Sequence, residues 1–275
     1  MFEQIHHSRI KLSQGQIFWR EAGYSDLNLV FLHGAWQDGS QWLPVFEHLC
    51  GEYRCFAPDL LGCGESEFPN IHYSIDLMVE SLAEYLNLLK LEDVCLVGHS
   101  LGGWIAASFA LKYPERVRRI VLISPEGVKA SDQEGRWRWR RWLAHGPAPL
   151  HFILKLIYPF AFLIGQRKKV KQTLQQRQQM LNYFSASRLL FKRRWAEYRS
   201  ELLDERLSNL RAPVLILQGT HDQPIALSMS ESYSVLAPMA DLQFIKPGGE
   251  NLPAELPDVI AQYIREFIAG YLKVV

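Results

Sequence analysis

Gly98-His99-Ser100-Leu101-Gly102 sets one serine hydroxyl between two glycines, the spacing that a nucleophilic serine on a sharp turn requires. Val94-Cys95-Leu96-Val97 before it is a short apolar run that reads as a buried strand. Gly103 to Ala110 after it has helical spacing and good helix formers. A strained strand-to-helix turn excludes bulky neighbours two residues on either side and lifts the hydroxyl above the sheet edge, at the positive end of a helix. Chemistry at such a serine needs a base, an acid that orients the base, and N–H donors for a developing oxyanion.

The elements that would position these groups follow from the apolar pattern. Lys11 to Arg20 alternates and predicts an edge hairpin. Leu29-Val30-Phe31-Leu32 is a buried strand ending at His33-Gly34-Ala35-Trp36, and Tyr53 to Asp59 is another. Ser74 caps a helix reaching about Lys90. Arg119 to Ser124, Pro213 to Gly219 and Leu242 to Ile245 complete the strands, and Pro257 to Tyr271 is a closing helix. Short apolar strands alternating with helices predict a largely parallel sheet covered on both faces, an α/β fold.

At this point the chain resembles the α/β-hydrolase family along nearly its whole length. His33-Gly34 resembles its oxyanion loop, Asp59-Leu60-Leu61-Gly62-Cys63-Gly64-Glu65-Ser66 its D-x-x-G-x-G-x-S loop, Gly98 to Gly103 its nucleophile elbow, and Gly219-Thr220-His221-Asp222 its acid turn. The resemblance implies an eight-stranded, mostly parallel sheet flanked by helices, with a helical cap inserted after the sixth strand. Residues 1–126 and 208–275 would form the core and 127–207 the cap. Ser100 would attack a carbonyl carbon, with backbone N–H groups of Leu101 and of Ala35 or Trp36 holding the oxyanion, and Asp222 would orient the base. His33 and His99 sit within backbone-critical turns and are read as structural residues that do not face the serine. With Gly34, Trp36 and Glu126, they are expected to border the substrate pocket.

The base departs from the pattern. Where the family has P-x-G-H-x-x-x-x-E-x-P, this chain reads Pro247-Gly248-Gly249-Glu250-Asn251-Leu252-Pro253-Ala254-Glu255-Leu256-Pro257, and no histidine follows His221. Glu250 occupies the histidine's position. Imidazole, with a reference pKa of about 6.5, accepts the serine proton far better than a carboxylate at about 4.3. Loss of such a histidine costs on the order of 10⁶ in turnover. Glu250 would also face Asp222, and two close carboxylates cannot both ionise cheaply, so one should hold a proton and have a raised pKa. Three explanations stand: altered or lost hydrolytic chemistry, an inactivating substitution in an ordinary hydrolase, or a base from a cap histidine such as His145 or His151. Glu126, in Ser124-Pro125-Glu126-Gly127 after the sixth strand, is a further carboxylate that either faces the site or caps a solvent-facing hinge.

The net charge of +1 conceals an asymmetry. Residues 129–211 hold 18 Lys and Arg against 6 Asp and Glu, a balance of +12, and the remainder balances at −11. Within that segment Arg136-Trp137-Arg138-Trp139-Arg140-Arg141-Trp142 alternates arginine and tryptophan, and Leu150 to Ile164 is nearly all apolar. Such a segment either packs its apolar face on the sheet or contacts an anionic membrane surface peripherally. Both arrangements put an apolar roof over Ser100 and predict an apolar small-molecule substrate. No nucleic-acid module surrounds the basic run. The N-terminal residues lack a basic start followed by an apolar run, which predicts no signal peptide. No apolar run is long enough for a membrane span. Four cysteines without zinc or C-x-x-C spacing fit a cytoplasmic chain and imply no metal. No organic cofactor is implied.

The sequence thus predicts an esterase-like serine hydrolase for an apolar ester or related carbonyl compound, weakened or silenced at Glu250. The alternatives are a non-hydrolytic ligand-binding protein and a lyase or proton-transfer enzyme using Glu250 and Asp222.

Overall fold

A computed structural model describes residues 5–130, 133–145, 156 and 167–270. Eight strands form one sheet: β1 (His6–Leu12), β2 (Gly15–Ala22), β3 (Asn28–Leu32), β4 (Arg54–Pro58), β5 (Val94–His99), β6 (Val117–Ile123), β7 (Val214–Gly219) and β8 (Ala240–Ile245). Their spatial order is β1-β2-β4-β3-β5-β6-β7-β8. The expected edge hairpin is β1–β2; β2 pairs antiparallel with β4 as well, and every other pairing is parallel.

The central strands bury both faces, as their unbroken apolar runs require. Leu29 and Phe31 enter one core with α1 (Leu43–Leu49) and α10 (Pro257–Ile268). Val30 and Leu32 enter the other, with α2 (Ile75–Leu88) and α3 (Leu101–Lys112). This is the two-residue period of a strand expressed as two hydrophobic layers. Ser74 caps α2 as expected, its hydroxyl accepting from Leu77 N at 3.0 Å.

Between β6 and β7 the chain forms α4 (Gln133–His145), α5 (Arg167–Asn182), α6 (Phe184–Phe191) and α7 (Trp195–Ser200). Trp137, Leu143, Leu189, Leu190 and Phe191 from these helices share the core of α2 and α3. The apolar stretch 150–164, apart from Leu156, lies outside the described residues, His151 included; the closing helix ends at Ile268, short of the expected Tyr271, with Ala269 as its C-cap. After β7 come α8 (Pro224–Leu236) and α9 (Leu252–Glu255). Among the described residues there is no disulfide. Burial pushes the Cys63 thiol up to about 12 and the Cys95 thiol to about 11, so neither is an available nucleophile.

β3 is flanked by β4 on one side and β5 on the other, so the carboxyl ends of β3 and β5 border the crevice where open α/β sheets place their sites. The loop after β4 is held by a buried ion pair. Asp59, with no exposed surface, accepts from Arg20 Nη1 at 2.6 Å, Gly39 N at 2.7 Å and Glu65 N at 2.7 Å. Its carbonyl accepts from Ser66 Oγ, and that oxygen accepts in turn from Phe18 N. The D-x-x-G-x-G-x-S motif is therefore a tie between β2, β4 and the loop bordering the site. Removing one partner of such a pair leaves a charge buried without its counterpart. Arg20→Met should destabilise the fold by about 3–5 kcal/mol in urea titration; a change near zero would show that Asp59 is satisfied without Arg20.

Candidate active site

Ser100 lies between β5 and α3 with φ 52° and ψ −113°, a positive-φ conformation outside the wells that L residues ordinarily occupy. Close packing enforces it. A Cβ on Gly102 would fall 2.1 Å from the Leu32 carbonyl oxygen at the end of β3. Ser100 N donates to the Ile123 carbonyl at the end of β6, and Glu126 N returns a bond to the Ser100 carbonyl. The turn is pinned from both neighbouring strands.

The loop after β3 passes directly beside it. A Cβ on Gly34 would sit 2.9 Å from His99 Nδ1 and 3.6 Å from Ser100 Cβ, so only glycine allows this approach. Leu101 opens α3, where the first N–H groups have no intrahelical acceptor. Ala35 is buried next to Gly34, and Trp36 is half-buried with its ring stacked on Phe191 of α6 at 6.4 Å.

His33 and His99 serve the scaffold. His33 is fully buried; its Nδ1 lies 2.8 Å from the Gly34 carbonyl, and its Nε2 accepts from Leu60 N at 3.0 Å. The His99 Nδ1 accepts from Gln41 Nε2 at 2.8 Å, which leaves Nε2–H to donate to the Glu250 carbonyl at 3.0 Å. Gln41 also donates to Asn251 Oδ1 and accepts from Gly34 N. One buried network thus joins the loop after β3, the serine turn and the segment around residue 250. Glu255 closes that segment by accepting from Gly249 N and Asn251 N.

The three carboxylates differ in their surroundings, and Glu126 takes the site-facing one of its two expected places. Glu126 accepts from Ser100 Oγ at 3.2 Å. Its carbonyl is fixed by Tyr233 Oη at 2.7 Å. Desolvation raises the Glu126 pKa and the nearby Glu250 charge adds to this, while Arg140 of α4 and the bond from Ser100 oppose it. Asp222 accepts from Ser124 Oγ at 2.9 Å, Gln218 Nε2 at 3.0 Å and Gln223 N at 2.6 Å. Glu250 is exposed, and its Oε2 accepts from Gln223 Nε2 at 3.4 Å. Among the described residues no hydrogen bond joins Glu250 to Ser100 or Asp222. Instead of facing each other directly, Asp222 and Glu250 are both bonded to Gln223, whose main chain serves the first and whose side chain serves the second. Of the two cap histidines weighed as a base, His145 ends α4 but its side chain, like all of His151, lies outside the described residues.

Sequence reasoning did not reach Gln41, Ser124, Gln218, Gln223 or Arg140. Gln41 sits in a 3₁₀ turn, Gly39–Trp42, with no periodicity to mark it. Ser124 carried a usable signal, since it directly precedes Pro125-Glu126 at a strand end.

Residues 28–255 match the sequence profile described as alpha/beta hydrolase fold. The 2-hydroxy-6-oxo-2,4-heptadienoate hydrolase of Pseudomonas putida is 26% identical over 252 residues, covering 88% of this chain and 89% of that protein. An uncharacterised protein of Mycobacterium bovis is 37% identical over 100 residues, 36% of this chain, and the match spans only 29% of that relative's length. A thermophilic esterase from Thermogutta terrifontis superposes with a TM-score of 0.74 at 24% identity, covering 96% of this chain and 98% of the esterase.

Burial pushes the His99 pKa down to about 4 and lowers that of His33 as well. Both rings are therefore neutral in the folded protein at neutral pH and take up protons on unfolding. This stability contribution is complete above about pH 6.5 and is lost as pH falls toward 4, by about 3 kcal/mol for His99. In urea titrations from pH 7 to pH 4, His99→Gln should show a flatter stability curve than the parent; parallel curves would contradict the assignment. Profile, fold and motif order agree that the chain belongs to the alpha/beta hydrolase fold family.

Proposed function

We propose that this chain is a serine hydrolase acting on an apolar ester or related carbonyl compound, with Glu126 as the immediate proton acceptor for Ser100. The observation that carries this reading is the 3.2 Å bond from Ser100 Oγ to Glu126 Oε1 on a strained turn. As Oγ bonds to the carbonyl carbon, its proton passes to the Glu126 carboxylate, and the carbonyl electron pair moves onto oxygen. The N–H groups of Leu101 and Ala35 stabilise that oxyanion. When the tetrahedral species collapses, Glu126 returns the proton to the departing alkoxide, and water repeats the sequence on the acyl-enzyme. No cofactor takes part in this scheme.

Asp222 holds Ser124, and through it the end of β6 from which Glu126 projects. Glu250 marks the place of a stronger base and adds negative charge near Glu126. Residues 127–207 act as the cap: Phe191 stacks on Trp36, and Arg140 faces Glu126 electrostatically. The Trp36–Phe191 stack supports an apolar roof beside the serine, and Arg140 adds one positive charge to it. The hydrolase and esterase activities of the P. putida and T. terrifontis proteins are compatible with carbonyl chemistry at this site.

A second reading draws on the lack of any described imidazole contact to Ser100: a protein that keeps the pocket to bind an apolar ligand without turnover. A fluorophosphonate probe separates the two. Under the first, Ser100 is labelled, labelling disappears in Ser100→Ala, and it slows about tenfold or more in Glu126→Gln. Its rate should rise with pH through a midpoint above the ordinary carboxylate value of about 4.3, because Glu126 accepts a proton only when ionised and its pKa is raised. Folded protein that resists labelling at every pH would establish the second reading. Glu250→His should raise ester turnover by roughly 10²–10⁴-fold, the contribution of a positioned general base; unchanged turnover would show that residue 250 does not reach the serine.

A further inference from the structure

Apart from Arg140, which acts electrostatically on Glu126, the positive segment of the chain is not used by the proposed serine chemistry. On α4, Trp137 is 6% exposed and fixes the helix to the body, donating Nε1–H to the Leu190 carbonyl and packing against Trp195 and Tyr198. Trp139 and Trp142, three residues apart and so on one face, are 53% and 46% exposed. Their rings stack on each other at 5.1 Å and 27°. Monomeric surfaces seldom expose paired large aromatics without a partner.

Charge identifies the partner. α4 carries four arginines and one glutamate, and α5 carries five basic residues and no acidic one. Residues 129–211 balance at +12. Tryptophan combines an apolar body with a polar N–H and favours the headgroup level of a bilayer. Arginine and lysine beside it are attracted to anionic headgroups. A helix of 13 residues is about 20 Å long, short of the roughly 30 Å hydrocarbon core. It can lie on a bilayer and cannot cross one.

We propose that α4 docks the protein peripherally on an anionic lipid bilayer, with Trp139 and Trp142 entering the headgroup region and Arg138 with its basic neighbours pairing with lipid phosphates. Single-stranded nucleic acid is the less suited anion. It binds by stacking bases on free aromatic faces, and here each indole already spends one face on the other. The docked helix is joined to the serine turn by packing: Trp137 meets Tyr198, and Tyr198 meets Trp104 of α3. Docking itself is independent of catalysis.

The test is co-sedimentation of the full chain with vesicles of phosphatidylglycerol and phosphatidylcholine, beside vesicles of phosphatidylcholine alone. Expected are binding to the anionic vesicles with a blue shift of tryptophan emission, weak binding to neutral ones, and release as salt rises from about 0.1 M to about 1 M. Trp139→Ser/Trp142→Ser, whose side chains are exposed and which should keep the parent's circular dichroism, should weaken binding about tenfold or more. Trp139→Phe/Trp142→Phe should retain most of it. No binding by the parent, equal binding to both vesicle types, unchanged binding of the serine variant, or capture of a single-stranded oligonucleotide in preference to anionic vesicles would each overturn the proposal. So would a Trp139- and Trp142-dependent dimer in sedimentation velocity that vesicles do not displace.

Discussion

The strained backbone at Ser100 is the constraint on which the rest of the site depends. A residue with φ 52° between a strand and a helix persists only if its surroundings over-determine it. Here the surroundings are the Leu32 carbonyl facing Gly102, the Ile123 carbonyl accepting from Ser100 N, and Glu126 N donating back. The same contacts that force the turn bring the ends of β3, β5 and β6 together. Strain and assembly of the site are therefore one event. The Asp59–Arg20 tie and the network of Gln41, His99 and residue 250 extend it outward to the bordering loops.

Three carboxylates surround this turn, and their environments divide their roles. Asp222 accepts from Ser124, Gln218 and Gln223. Glu250 stands in solvent with a single long contact, while its main chain is fixed by His99. Glu126 is desolvated and bonded to the serine. A carboxylate with a raised pKa is a better proton acceptor than an ordinary one. Under the proposed reading, Glu126 would in this way stand in partly for the imidazole expected at residue 250.

The strained serine turn and the D-x-x-G-x-G-x-S loop were legible because each depends on glycine or a strand end at a fixed offset. Strand alternation made the two core layers legible too, since Leu29 and Phe31 face opposite to Val30 and Leu32. What escaped were polar contacts created by tertiary approach. Gln41 reaches His99 across 58 positions and Asn251 across 210, and glutamine in a short turn carries no pattern. The separation of Asp222 from Glu250 by Gln223 depends on side-chain direction, which motif spacing does not encode. Glu126 was open to two readings because its side chain follows a proline at a strand end, where a one-residue change of course decides between pocket and solvent.

The pairing of Glu126 with Ser100 is tested most directly by a carbon-13 NMR titration of the Glu126 side-chain carboxyl, in the parent and in Ser100→Ala. The predicted result is a midpoint above the ordinary carboxylate value in the parent, moving higher when the donated hydroxyl bond is removed. An ordinary midpoint, indifferent to the loss of the serine, would contradict the account.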